Sequence, residues 1–230
     1  AALHEEINEL LTWLSDAQCI HIGSRDFWTG ELDGQTVVVV LSRVGKVAAA
    51  STTAVLITQF NVRAVVFAGV AGALAPGVAV GDVVVSEELL QHDVDASPLF
   101  PRWEIPLTGV ARFQADAALA QGLLDSARAV LADPLGLLGQ PVMEAFGIAA
   151  PQAYAGLIIS GDRFVSTSAE SAALRAALPD ALAVEMEGAA VAQICHEWGV
   201  PFAAIRTISD RADDAASVDF AQFIAEVDSR

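Results

Sequence analysis

Leu3, Ile7, Leu10, Leu11 and Leu14 recur at helical spacing with Glu5, Glu6 and Glu9 between them, which predicts an amphipathic N-terminal helix. Strand-like stretches follow at 19–22, 28–32 and 36–42. The run from Thr36 to Leu41 is almost wholly β-branched, as expected of a strand buried on both faces. A helix of small residues is predicted over 46–60, a buried strand over 64–68, a glycine-rich turn over 69–77 and a strand over 81–86. Residues 91–109, with Pro98, Pro101 and Pro106, read as a loop, 115–132 as a helix, and 133–153 as a loop with one short helix. Alternation then returns: strands at 156–160, 181–184 and 201–207, helices at 168–178, 187–198 and 217–227. Strands alternating with helices imply parallel pairing and a three-layer αβα sandwich. Such sheets bind ligands at the carboxyl ends of their strands.

Composition narrows the class. The 230 residues are 54% hydrophobic with a mean hydropathy of +0.49, which excludes a disordered chain and predicts one domain with a doubly covered core. No apolar run reaches the roughly 18 residues that span a bilayer. Twelve Lys and Arg stand against 29 Asp and Glu, a net charge of −17, and Lys46 is the only lysine. No basic footprint for nucleic acid or an anionic membrane is present, and the acidity reads as a solvated surface. Two cysteines, Cys19 and Cys195, predict neither a disulfide framework nor a zinc cluster. With no signal peptide at the start, a reducing cytoplasm is expected.

Four strand ends carry unusual residues. The 69–77 segment suits either close approach of backbone to a ligand or a plain turn. In Ser160-Gly161-Asp162-Arg163-Phe164-Val165 the aromatic ring can stack on a flat base or fill core. Val184-Glu185-Met186-Glu187-Gly188 sets two carboxylates where a strand gives way to an apolar helix, so at least one needs a ligand or an ion-pair partner. Arg206-Thr207-Ile208-Ser209-Asp210 offers a structural ion pair or a site.

These four segments together resemble the nucleoside phosphorylase/nucleosidase superfamily, most closely the bacterial 5′-methylthioadenosine/S-adenosylhomocysteine nucleosidases. Gly45-Lys46-Val47, 69–76, Val80 to Ser86, His92-Asp93, 156–164 and 183–220 carry the similarity, which spans most of the chain. The resemblance implies a central mixed, mostly parallel sheet and hydrolysis of an N-glycosidic bond without a cofactor or metal. It implies that Asp210 protonates N7 of adenine with Ser209 orienting it, and that Glu187 grips the ribose hydroxyls with Met186 beneath the sugar. Phe164 would stack on adenine, with the Val165 backbone reading its N1 and N6 edge. Glu6 would activate the hydrolytic water, with Arg206 helping to hold it. Val70, Ala71 and Gly72 would run beside the ribose, valine standing where many relatives have serine.

Val44, Ala96, Leu99, Pro106 and Phe220 would line the pocket for the 5′ substituent, part of it supplied by the second subunit of a homodimer. The apolar loop 98–106 suits a methylthio group or a longer thioether, and equally a futalosine-type 5′ group. Relatives begin with a short hydrophobic strand, whose trailing end Ala1-Ala2 resembles, so a strand before the given residues is expected. Two further readings keep the fold. Phosphate can replace water as nucleophile, although Glu5 and Glu6 would repel it. A nucleoside-binding protein without turnover has no need of Asp210.

Overall fold

The computed structural model describes residues 1–4 and 6–228. Three strands, β1 (Ser15–Ile22), β2 (Arg25–Leu32) and β3 (Gln35–Val40), form an antiparallel meander after the short helix α1 (Asn8–Trp13). The remaining strands are β4 (Val65–Ala73), β5 (Val83–Gln91), β6 (Arg112–Gln114), β7 (Ala153–Ser160), β8 (Ala181–Glu185) and β9 (Phe202–Asp210). They form a second sheet in the order β6-β5-β7-β8-β4-β9. Its parallel ladders are β5–β7, β7–β8 and β4–β9, and its antiparallel ones β5–β6, β4–β8 and β5–β9. Because β9 pairs with both β4 and β5, the sheet curls back on itself, as strong strand twist allows.

The helices are α2 (Lys46–Phe60), α3 (Ala117–Val130), α4 (Pro134–Leu138), α5 (Gln140–Phe146), α6 (Ser168–Ala177), α7 (Gly188–Trp198) and α8 (Ala216–Asp228). Alternate residues of β5 decide the layering. Val84 packs in a core cluster with Ala49 of α2 and Ala189, Val191 and Ala192 of α7, whereas Val83 and Val85 pack with Leu124 and Ala127 of α3. Likewise Ile158 of β7 joins the first cluster, and Leu157 and Ile159 turn toward Leu174 of α6. The period of two in a strand thus sends neighbouring side chains to helices on opposite faces.

Helix α2 serves both sheets. Its buried positions Ala49, Thr52, Thr53, Leu56 and Ile57 follow helical spacing. Leu56 packs with Phe27 and Val40 of the meander, while Ala49 faces the larger sheet. The hydroxyls of Thr52 and Thr53 donate to the carbonyls of Ala48 and Ala49, so neither buried hydroxyl is left unpaired. The helix begins where Gly45 takes φ +95° and stops at Asn61 in the left-handed region.

Several expectations need correction. The N-terminal helix is shorter than its apolar spacing predicts: Leu3 precedes it, and buried Ile7 lies just before its first residue. The 36–42 strand is not buried on both faces, because β3 belongs to the meander and only its second half enters the core. The turn over 69–77 is strand as far as Ala73, since small residues fit a crowded ladder as well as a turn. Strand β6 has too few residues to show a period, and 133–153 holds two short helices. The sheet is mixed, as the resemblance implies, with antiparallel ladders beside the parallel ones that the alternation of strands and helices predicts. Among the described residues no helix is long and apolar enough to cross a membrane.

Candidate active site

The ends of β4, β7, β8 and β9 converge on a cavity of about 250 Å³, joined by the N-terminal segment and by Val44 from the loop before α2. Ala2, Leu3, Glu6, Val44, Val70, Ala71, Gly72, Arg163, Phe164 and Val165 line it, with Val184, Glu185, Met186, Glu187, Ser209, Asp210 and Phe220. Glu5, the other acid of the N-terminal segment, lies outside the described residues.

A bulge aims Asp210. The β4–β9 register runs Ala71 to Ile208 and then Gly72 to Asp210, leaving Ser209 as the extra residue. Such a bulge re-aims the following side chain. Asp210 is 2% exposed. Its Oδ1 accepts from the Ala212 N–H at 2.8 Å and its Oδ2 from the Ser209 hydroxyl at 2.9 Å. Burial raises its pKa above the ordinary carboxylate range, helped by Asp213 and Asp219, against those two hydrogen bonds.

Glu6 reaches the same cavity from the N-terminal turn. Its Oε2 accepts from the N–H groups of Ala2 and Leu3 at 2.6 and 2.9 Å, and its Oε1 from Val70 N–H at 3.1 Å. Two glycines make room for these acids. A Cβ on Gly69 would sit 2.5 Å from Glu6 Oε1, and one on Gly72 would sit 2.8 Å from Asp210 Oδ1. The backbone approach anticipated for this segment is therefore an approach to the protein's own carboxylates.

The Glu185/Glu187 pair divides into an acid tied into the interior by several donors and one facing the cavity with fewer. Glu185 accepts from the N–H of Glu187 and of Gly188, from the Ser160 hydroxyl, and from the Arg206 guanidinium at 2.8 Å. Arg206 also donates to the carbonyls of Phe67 and Ile205 and lies 4.2 Å from the Phe67 ring centre. It is buried, pairs with Glu185 rather than Asp210, and is not among the cavity-lining residues. Its Nη1 nonetheless comes within 3.3 Å of where a Gly69 Cβ would be, on the flank of Glu6.

Glu187 has one hydrogen bond of this kind, from Gly45 N–H to Oε1 at 2.7 Å. Burial first, then the Glu185 charge, raises its pKa to about 7. A network holds the Gly45 donor. Asp162 Oδ1 accepts from Lys46 N–H at 2.8 Å, and Asp93 accepts from Lys46 Nζ at 2.6 Å and from Asp162 N–H at 2.9 Å. Gly45, Asp162 and Asp93 drew no role from the sequence, because their contacts span 47 to 142 residues and no local spacing announces them. Arg163 was also missed; its guanidinium is engaged by Glu170.

The remaining expected residues separate into two groups. Phe164, 41% exposed, packs edge-on against Phe220 with ring centres 5.6 Å apart, and with Met186, Val165 and Val44 it forms the apolar wall. Ala96, Leu99 and Pro106 lie outside the cavity of this chain, on the 92–110 loop, where Leu99 is 84% exposed. At about 250 Å³ the cavity sits just under the roughly 300–1,000 Å³ of typical small-ligand sites. It is strongly apolar, with carboxylates from three directions.

Comparisons with known proteins agree with this geometry. The phosphorylase superfamily pattern matches residues 1–230. Similar solved structures include the 5′-methylthioadenosine/S-adenosylhomocysteine nucleosidase from Neisseria meningitidis in complex with methylthio-immucillin-A. It is 35% identical over 99% of this chain and 91% of that one, with a TM-score of 0.86. The Streptococcus pneumoniae nucleosidase with 8-aminoadenine is 33% identical over 100% and 92%, TM-score 0.85. The Colwellia psychrerythraea nucleosidase with adenine is 35% identical over 99% and 87%, TM-score 0.83. With its full length matched and its strand ends converging on this cavity, the chain belongs to the phosphorylase superfamily and, within it, to the 5′-methylthioadenosine/S-adenosylhomocysteine nucleosidases.

Proposed function

We propose that this cavity hydrolyses the N-glycosidic bond of 5′-methylthioadenosine and S-adenosylhomocysteine, releasing adenine and the 5′-thio-ribose. The observation that carries the reading is the meeting of Glu6, Glu187 and Asp210 around one apolar cavity, with Asp210 buried and raised in pKa.

Adenine leaves poorly as an anion. Asp210, protonated, gives its hydrogen to N7 as the bond from C1′ to N9 breaks, so adenine departs neutral. General acid catalysis supplies about 10²–10⁴-fold, or about 2.7–5.4 kcal/mol of barrier. Ser209 holds the carboxyl in line through its 2.9 Å hydrogen bond. Water adds its oxygen to C1′ and passes a proton to Glu6, which three backbone N–H groups fix in place. Glu187 accepts from the ribose 2′- and 3′-hydroxyls. Those donors and the positive charge developing on the sugar both favour its ionised form.

Phe164 stacks on adenine, the Val165 backbone reads its N1 and N6 edge, and Met186 packs under the sugar. Val70, Ala71 and Gly72 supply backbone beside the ribose. Arg206 acts from behind, neutralised by Glu185 and flanking Glu6, as a positioning residue for the water rather than its ligand. Val44 and Phe220 begin the 5′ pocket. Ala96, Leu99 and Pro106 complete it from the partner of a homodimer, which accounts for a small cavity and an exposed Leu99.

Water is preferred to phosphate on charge grounds. Among the described residues lining the cavity the one cation is Arg163, and Glu170 engages it, while Glu6 and Glu187 would repel an anion. Incubation with 5′-methylthioadenosine in phosphate-free buffer should release free adenine. A folded sample that releases none overturns the reading. Sugar 1-phosphate formed on adding phosphate points to phosphorolysis, and turnover of only a futalosine-type nucleoside moves the substrate class. A cytoplasmic setting is part of the proposal, since the chemistry needs no disulfide and both cysteines are free.

A further inference from the structure

The β1–β2 hairpin holds a cluster of donors that the nucleosidase chemistry does not use. His21 and Asp26 face each other across the antiparallel ladder, and Cys19 stands two residues before His21 on the same face of β1. One donor atom from each of the three lies within 4.8 Å of the other two. His21 Nδ1 and Asp26 Oδ1 are 2.5 Å apart. None of the three lines the cavity.

We infer that Cys19, His21 and Asp26 form a surface site for one zinc-class divalent cation, completed by water. A cysteine and a histidine with one carboxylate is a borderline-soft donor set, the kind zinc and its neighbours prefer over calcium or magnesium. The cysteine count argues against a four-cysteine structural cluster, but a mixed three-residue site needs only one thiolate. Tetrahedral zinc, at about 2.0–2.3 Å from each donor, wants those donors roughly 3.2–3.8 Å apart. The His21–Asp26 pair must therefore open by about an ångström, while a pair near the 4.8 Å limit would close by about as much. The exposure of the two side chains, 74% and 54%, leaves them free to do so.

A bound cation would displace the Cys19 thiol proton to solvent. Two ligands from β1 and one from β2 would cross-link the hairpin, so binding should also raise its resistance to opening.

The test uses the tag-free, metal-free chain. Titration with zinc alone, followed by calorimetry, should show one equivalent bound per chain at micromolar metal. Cys19→Ser and His21→Ala should each weaken binding beyond the roughly 10–100-fold typical of changes around a metal's ligands. Cys195→Ser should not, because Cys195 is buried with its thiol pushed up to about 12. Cobalt loading of the unaltered chain should give thiolate-to-metal charge-transfer absorption, a readout that needs no variant. Adenine release should be unchanged in Cys19→Ser. Failure to bind zinc at micromolar concentration, binding that survives both substitutions, or cobalt spectra without thiolate character each overturns the site.

Discussion

Asp210 and Glu187 are both buried, the proposed reaction gives them opposite duties, and their titration separates them. As the proposed acid, Asp210 must hold a proton, so activity should fall as pH rises through its raised pKa. Asp210→Asn should lower kcat by about 10²–10⁴-fold while keeping ligand affinity, and should lose that alkaline limb. Stopped turnover assays beside calorimetry of a substrate analogue separate the two effects, and unchanged kcat rejects Asp210 as the acid. Glu187 bears on stability. Its folded pKa is about 7 against an ordinary 4.5, so between these values the folded state binds more protons than the unfolded one. Stability of the unliganded protein should therefore decline as pH rises from 4.5 to 7. Glu187→Gln should flatten that decline in melting temperature and impair turnover. An equally steep decline in the variant would remove Glu187 as its source.

At the scale of elements, the close approach of β4 to the two acids means that a side chain at Gly69 or Gly72 would displace a carboxylate. Gly69→Ala puts a methyl group 2.5 Å from Glu6 Oε1, so the carboxylate must move. A displacement of about 1 Å can cost about 10²-fold in rate, and that loss in kcat/KM is expected with little change in the melting curve. The Gly45 loop supplies a second case. Asp162→Ala frees the Lys46 backbone and loosens the Gly45 N–H that holds Glu187, so KM should rise more than kcat falls. Asp162→Asn, which keeps an acceptor, should rescue most of it. The start of α2 was legible in the sequence because Gly45 punctuates a run of small residues. Its contact with Glu187 was not, since the two are 142 positions apart.

For the whole molecule, the Arg206–Glu185 pair ties β9 to β8 and to the start of α7 in the interior. Breaking it from one side leaves a buried charge, and Arg206→Leu should cost about 3–5 kcal/mol in denaturant unfolding. Pairing Arg206→Leu with Glu185→Gln should restore much of that, whereas an additive loss would show that the two act independently. A dimer is testable at the same scale: Leu99→Asp should shift light-scattering mass toward the monomer and weaken turnover of substrates with long 5′ groups. Periodicity and strand-end composition determined, without coordinates, the α/β class, most element positions from 46 onward, and the acids at the ends of β8 and β9, whereas Glu6 was pointed to only by the family resemblance. They do so because a helix or strand imprints its own spacing on nearby residues, and because a carboxylate in apolar surroundings is conspicuous. Tertiary structure alone decided which ladders run antiparallel, that the sheet curls to pair β5 with β9, that Glu185 is the tethered acid and Glu187 the one with fewer donors, and that glycines at 69 and 72 yield space to carboxylates. Each of these depends on contacts between residues far apart in the chain, where local spacing carries no signal.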